Sequence, residues 1–122
     1  MIKCYKDLEV YQLSYKLGME IFELSKKFPK EESYNLTSQI RDSSRSIPAN
    51  IAEGWTKRQH TNLFKKHLLD ALGSVDETKV WLDFSLDCKY MLKEKHEDLI
   101  HRYEELGKRI YNLIKNWKTY KE

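Results

Sequence analysis

Apolar residues recur through this chain at alternating intervals of three and four. The clearest run is Leu99, Tyr103, Leu106, Ile110, Leu113 and Trp117, with intervals of 4, 3, 4, 3 and 4. An α-helix turns once in about 3.6 residues, so this spacing places all six side chains on one helical face. A half-buried strand would alternate every second residue instead. The pattern predicts an amphipathic helix with one apolar stripe.

Three earlier segments show a similar spacing, at 10–28, 36–51 and 64–82. The first helix is predicted to begin with Asp7 as its N-cap and to end at Phe28, because Pro29 disfavours helical geometry in the residue before it. The second is predicted to end at Gly54 and to contain Pro48, which we expect to kink it. The third is predicted to begin with Thr61 as its cap and to end near Cys88, and a turn at 89–93 leads into the fourth.

Length and composition agree with an all-α fold. The chain has 122 residues, of which 40% are hydrophobic, with only four Gly and two Pro, too few for a sandwich of many short strands. No stretch approaches the roughly 18 apolar residues of a membrane span. We predict a single domain over 1–122, an up-down-up-down antiparallel four-helix bundle.

Two helices carry apolar residues beyond a single stripe. The additional residues are Leu69, Leu72, Val80, Trp81 and Phe84 on the third helix and Ile100, Tyr111 and Ile114 on the fourth. A bundle helix needs one apolar face, so the extra residues suggest burial against another copy of the chain. We predict a homo-oligomer; the alternative is a broad core stripe whose aromatic residues are half exposed.

The two cysteines suggest a reducing compartment. Cys4 and Cys88 lie far apart in the sequence, and the first residues are too short and polar a stretch for a secretory leader. We expect two reduced thiols and a cytoplasmic protein.

A search for catalytic motifs predicts no enzyme, no metal and no cofactor. The chain lacks the glycine-rich phosphate loops and a GxSxG elbow. His96 and His101 are five residues apart, so they point to different faces of a helix, whereas a zinc-protease helix has its histidines four apart. The run Ser43–Ser46 is interpreted as small residues that allow two helices to approach closely.

Charge is distributed unevenly, although the formal net charge is only +3. Residues 54–67 hold four basic and no acidic side chains, residues 68–105 hold five basic and ten acidic, and residues 106–121 hold five basic and no acidic. In an up-down-up-down bundle the start of the third helix and the end of the fourth share one end. Two basic segments are therefore predicted to converge.

Three interpretations of this basic end are open. It binds nucleic acid, with lysines on phosphates and the rings of Tyr111, Trp117 and Tyr120 stacked on unpaired bases. It is a solvated, charged end, or it meets the acidic middle of a neighbouring protein. The candidate nucleic-acid-binding residues are Lys57, Arg58, Lys65, Lys66, Lys108, Arg109, Lys115 and Lys118.

The second helix carries a family resemblance. The stretches YNLTSQIR at 34–41 and SIPANIAEG at 46–54 resemble the signature of the 23S rRNA intervening sequence protein family, also described as four helix bundle proteins. The segments DLEVY at 7–11, FPKEE at 28–32 and GSVDE at 73–77 match the same pattern, so the resemblance covers nearly the whole chain.

The resemblance implies a bacterial protein with no enzymatic activity. A related branch, the accessory variability determinant of diversity-generating retroelements, is a barrel-shaped pentamer that binds a reverse transcriptase and nucleic acid. The resemblance therefore implies a homopentamer, while the modest charge of this chain departs from that branch. The leading prediction is a non-catalytic homo-oligomer that binds RNA or a ribonucleoprotein through its basic end. The alternative is a protein-interaction scaffold or accessory subunit, for example of a reverse transcriptase, without nucleic-acid contact.

The signature itself is interpreted as structural. Ile47 and Ile51 are assigned to the core, and Pro48 to a bend. Asn50 is expected to satisfy a backbone group freed by that bend, Glu53 to pair with Arg41 or Arg45, and Gly54 to end the helix.

Overall fold

The structure, a computed structural model, describes residues 1–118. It contains four α-helices, α1 (Glu9–Ser25), α2 (Leu36–Thr56), α3 (Thr61–Asp87) and α4 (Lys93–Asn116), with short 3₁₀ turns at Tyr5–Asp7 and Lys30–Glu32. Within this described part there is no strand. The predicted all-α four-helix architecture is confirmed.

Pairs of contacts show that neighbouring helices run antiparallel. Between α2 and α3, Thr78 Oγ1 donates to Ser43 Oγ at 2.9 Å. Eleven residues before Thr78, His67 lies 3.3 Å from Asn50, which comes seven residues after Ser43. Between α1 and α4, the start of α1 meets Arg109 through Glu9, and a later turn meets Arg102 through Glu20. The helices therefore alternate up and down.

The helix boundaries differ from the prediction at four places. α1 ends at Ser25, three residues before the predicted end at Phe28. Asp7 does not cap α1; its carboxylate accepts hydrogen bonds from the backbone N–H groups of Lys3 and Cys4, and α1 begins after Leu8. Thr61 is the first residue of α3, and His60 holds the N-cap position. Gly54 does not end α2, which continues to Thr56.

Small polar side chains line the closest helix contacts. Ser43 and Thr78 are buried where α2 meets α3, and the hydroxyl of Ser46 bonds that of Ser74 across the same interface. The hydroxyls of Ser43 and Thr78 also bond carbonyls one turn back in their own helices, those of Ile40 and Ser74. The interpretation of the Ser43–Ser46 run as a packing surface is confirmed.

Pro48 lies inside an uninterrupted α2 and is buried; the kink predicted there remains a prediction. Since proline has no N–H, the Ser44 carbonyl loses its usual helical donor. That oxygen faces Gly18 of α1, where a side-chain Cβ would lie 3.7 Å away. The amide of Asn50 instead donates to the Ser46 carbonyl at 3.0 Å, so it does not replace the bond lost at Pro48.

An ion-pair cluster joins α1 to α4. Both oxygens of the Glu20 carboxylate accept hydrogen bonds from the guanidinium of Arg102, and Lys95 lies 3.4 Å from the same carboxylate. The Arg102 hydrogen bonds are the main cause that lowers the pKa of Glu20, and they act against its partial burial. The cluster stabilises the folded state when Glu20 is ionised.

A pH dependence of stability follows from this cluster. The folded-state pKa of Glu20 lies below its ordinary value of 4.5, so its contribution is present above about pH 4.5 and is lost as the pH falls through the folded value. Glu20→Gln is expected to lower the melting temperature at pH 7 and to change it little at pH 3. Thermal melts across this range, with the exposed Glu94→Gln as control, test the assignment. Equal losses at both pH values would contradict it.

Cys4 and Cys88 are both exposed and unpaired with each other. None of the helices within residues 1–118 combines the length and apolar character needed to cross a bilayer.

Candidate nucleic-acid interface

Three aromatic rings join the helix ends at which the basic segments meet. The Trp117 ring, just after α4, lies 4.8 Å from the Phe64 ring at the start of α3 and 5.8 Å from the Trp55 ring at the end of α2, both edge to face. Phe64 is fully buried. The predicted convergence of the two basic segments at one end of the bundle therefore agrees with the structure. We refer to this end, defined by the eight candidate cations named above, as the basic end.

Four of these eight cations are held by groups of their own chain; they are Lys57, Arg58, Lys66 and Arg109. Arg109 Nη1 lies 2.5 Å from the Glu9 carboxylate, and Lys66 Nζ lies 3.2 Å from that of Asp70. The Arg58 guanidinium lies over the Trp55 ring, 4.3 Å from its centroid. Such exposed ion pairs contribute little to stability, but they reduce the charge offered to a phosphate.

The other four have no carboxylate partner among residues 1–118. They are Lys65, Lys108, Lys115 and Lys118. All but the half-buried Lys65 are exposed. These four ammonium groups are the ones that the basic end offers to an anionic partner.

Lys57 belongs to a polar chain between α2 and α3. Its Nζ lies 3.1 Å from His67 Nε2, and His67 Nδ1 lies 3.3 Å from Asn50 Oδ1. A charged ammonium group has only donors, so Nε2 accepts and Nδ1 carries the hydrogen that is donated to Asn50. These two contacts hold the imidazole ring in one orientation. No sequence pattern indicated this contact, because Asn50 and His67 lie on different helices.

Glu53 does not pair with Arg41 or Arg45, contrary to the prediction. Its carboxylate lies 3.6 Å from Lys57, one turn along the same helix. The two arginines instead lie on the α1 side of α2, where both guanidinium groups approach the Phe22 ring, at 4.8 and 5.5 Å from its centroid. Glu53 and these arginines occupy different faces of one helix. Ile47 and Ile51 are fully buried as predicted.

The aromatic part of the predicted interface requires a correction. Trp117 packs against Phe64 and Trp55, and its Nε1 atom is buried, so this ring supports the core instead of stacking on bases. Tyr111 is 56% exposed and lines the groove between α3 and α4. Tyr120, with Lys121, lies outside the described residues.

The N-terminal segment adds two cations to the basic end, which the sequence analysis did not predict. The 3₁₀ turn Tyr5–Asp7 packs on α1 and α2, with Tyr5 close to Ala52 near the end of α2. Lys3 and Lys6 therefore lie at the same end of the bundle as the eight candidates. Both are exposed.

The surface holds open grooves. Two of them have volumes of about 740 and 660 Å³ and lie between α1 and α4 and between α3 and α4. Within residues 1–118, no three His, Cys, Asp or Glu side chains lie close enough together to hold a metal ion.

Comparison with known proteins agrees with this architecture. The crystal structure of a protein with unknown function from the S23 ribosomal protein family of Bacteroides thetaiotaomicron is 28% identical to this chain, with a TM-score of 0.79 over 88% of this chain and 99% of that one. None of the curated proteins matches the sequence. The family model described as 23S rRNA-intervening sequence protein matches residues 6–112. The chain therefore belongs to the 23S rRNA-intervening sequence protein family.

Proposed function

We propose that this protein is a non-catalytic, homo-oligomeric helical bundle, a pentamer in keeping with its family resemblance, that binds RNA or a ribonucleoprotein through its basic end. The observation that carries RNA binding is the group of four lysines that have no carboxylate partner within the described residues. Phosphate contacts by lysine release counterions, which makes binding strong at low salt and weak at high salt. We further propose that the protein acts in the cytoplasm, with both thiols reduced.

The paired cations have a secondary role in this proposal. Lys57, Arg58 and Arg109 are anchored by Glu53, Trp55 and Glu9, so they contact phosphate only by sharing or leaving these partners. A ligand therefore gains most from Lys65, Lys108, Lys115 and Lys118. This ranking separates the eight candidates into a strong and a weak group.

A gel-shift titration tests the proposal. The variant Lys65→Gln, Lys108→Gln, Lys115→Gln, Lys118→Gln is expected to bind a 23S rRNA fragment about a hundredfold more weakly at low salt. The slope of log K against log salt is expected to fall by about 3, since each lost contact with single-stranded RNA removes about 0.7.

A matched control removes four lysines from the opposite end of the bundle, Lys27, Lys30, Lys89 and Lys93. It is expected to bind nearly as well as the unmodified protein. Absence of any shift, or equal losses in the two variants, would refute binding through the basic end. An unrelated RNA of the same length reports whether binding depends on sequence.

A second candidate function is a scaffold or accessory subunit that contacts proteins alone, for example a reverse transcriptase. Exposed apolar side chains favour it, since Leu69, Val80 and Phe84 are each about half exposed on α3. Purification from native cells distinguishes the two functions. A protein partner that co-purifies after nuclease treatment, with an absorbance ratio typical of pure protein, would support the scaffold.

A further inference from the structure

Two uncovered surfaces of this chain are complementary to each other. We infer that the outer face of α3 in one protomer docks into the groove between α1 and α2 of the next protomer, so that copies associate head to tail. This inference rests on the proposed self-association and specifies the surfaces that produce it.

The first surface is a stripe on the outer face of α3, which we name the acidic stripe. It consists of Leu69, Gly73, Asp76, Val80, Phe84 and Asp87, which are all exposed. The three apolar side chains are 56%, 47% and 53% exposed. Neither aspartate has a cationic partner among residues 1–118, whereas the nearby Asp83 is paired with His96.

No close contact within the protomer requires glycine at position 73, in the middle of the stripe. A Cβ atom there would have nothing within 4 Å. Glycine inside a helix is destabilising relative to alanine. An approaching surface accounts for this residue, because a missing side chain allows a second backbone or ring to come close.

The second surface is the aromatic groove between α1 and α2. It has a volume of about 390 Å³ and is lined in part by Tyr15, Met19, Phe22, Arg45 and Ala49. Tyr15 and Met19 are 54% and 46% exposed. The guanidinium groups of Arg41 and Arg45 both approach the Phe22 ring, and neither has a carboxylate partner among residues 1–118.

Charge and shape favour a second copy as the occupant of this groove. The acidic stripe supplies Phe84 and Val80 as apolar groups, with unpaired carboxylates on either side of them. The groove supplies an apolar floor with unpaired guanidinium groups beside it. Complementary charge raises the association rate and selects against contact between two like surfaces.

The stripe and the groove overlap in height along the bundle. Thr78 of α3 bonds Ser43 of α2, and these helices are antiparallel. Asp76, two residues before Thr78, is therefore level with Arg45 of the groove, two residues after Ser43. A contact between different surfaces at equal height closes into a ring when the rotation fits, whereas unequal heights produce a helical filament.

A mixing experiment tests the inference by light scattering. Met19→Glu removes the groove and leaves the stripe intact, and Phe84→Glu does the reverse. Each variant alone is expected to be monomeric, at 14.7 kDa. An equimolar mixture retains one intact contact per pair, so it is expected to give a heterodimer of twice the 14.7 kDa monomer mass and nothing larger. A contact between two stripes or between two grooves does not produce this result.

Two controls complete the experiment. Leu92→Glu changes an apolar side chain that is 79% exposed in the turn before α4, and it is expected to keep the unmodified oligomer mass. Phe84 contacts Trp81, with ring centroids 5.8 Å apart, so Val80→Glu serves as a second stripe variant should Phe84→Glu unfold. Circular dichroism melts confirm that each variant is folded.

The outcomes separate this inference from the proposed function. Folded single variants that keep the unmodified mass, or a mixture that stays monomeric, would overturn the inference and leave self-association through other surfaces. An unmodified protein that is monomeric would overturn self-association as well. RNA binding is measured independently, by the gel shift.

Discussion

Gly54→Val is expected to lower the free energy of unfolding by about 3 kcal/mol, near the upper end for an overpacked core. A Cβ at this position would lie 2.8 Å from His67 Cβ and 3.1 Å from Phe64 Cδ1. Neither neighbour is the end of a flexible chain, and Phe64 is fully buried. Helices α2 and α3 must therefore move apart, which breaks the serine contacts further along.

Chemical denaturation with urea measures this loss. Gly107→Ala is the matched control, because its Cβ would lie at ordinary contact distances of 3.8 and 3.9 Å from Val75 and Leu72. It is expected to raise stability by up to about 1 kcal/mol through helix propensity alone. The stability of Gly54→Ala should fall between those of the other two variants, since the gain in helix propensity offsets part of the steric clash. A Gly54→Val protein as stable as the unmodified one would contradict the tight packing.

Gly54 also shows where sequence reasoning reaches its limit. Glycine after a periodic segment commonly ends a helix, and on that basis it was assigned as the terminator of α2. Here it lies two residues before the end, where a neighbouring helix leaves no room for a side chain. A helix terminator and a site of close helix packing both require glycine, so the residue type alone does not distinguish the two roles. Only the position of α3 does.

The apolar periodicity predicted the four helices, and most of the residues that it assigned to the core are buried. In α1, however, Leu13 and Leu24 are only partly buried, while Ser14 and Ser25 are buried. A serine whose hydroxyl bonds a carbonyl of its own helix has no unsatisfied polar group to offer a neighbouring helix. Its small size therefore matters more than its polarity where two helices approach closely. A pattern that counts apolar residues alone does not register this.

The α3–α4 turn illustrates a local feature without a sequence marker. Lys89 has a φ of 67°, a left-handed conformation usually taken by glycine at this position. The backbone N–H of Tyr90 bonds the Ser85 carbonyl at 2.8 Å across the turn. Tertiary packing of the two helices imposes this geometry on a residue that does not favour it.

At the candidate site, the charge blocks predicted the basic end but not its internal pairing. Which cations are neutralised depends on contacts between distant segments, such as Arg109 with Glu9, for which local spacing gives no evidence. The same is true of Trp117, whose position beside lysines suggested base stacking. Trp117 follows Ile110 and Leu113 at intervals of three and four, and this spacing predicts that it lies on the core face of the helix.

Trp117→Ala is expected to lower the free energy of unfolding by about 3 kcal/mol, at the low end for loss of a large aromatic side chain because Trp117 is only partly buried. Trp117→Phe is the matched control, since it keeps a ring against Phe64 and Trp55. It also removes the Nε1 donor, which is buried and has no hydrogen-bond partner among residues 1–118. Leaving such a donor unpaired costs about 1–3 kcal/mol, so Trp117→Phe should lose little stability.

RNA affinity gives this substitution a second, independent measurement. The Trp117 ring anchors the end of α4, with Lys115 two residues before it and Lys118 directly after it. Its loss is therefore expected to weaken RNA binding about fivefold under conditions where the variant is still folded. A stability loss with unchanged affinity would mean that these two lysines do not contact RNA. Binding would then depend on Lys65 and Lys108, which lie within α3 and α4 and not at the C-terminal end of α4.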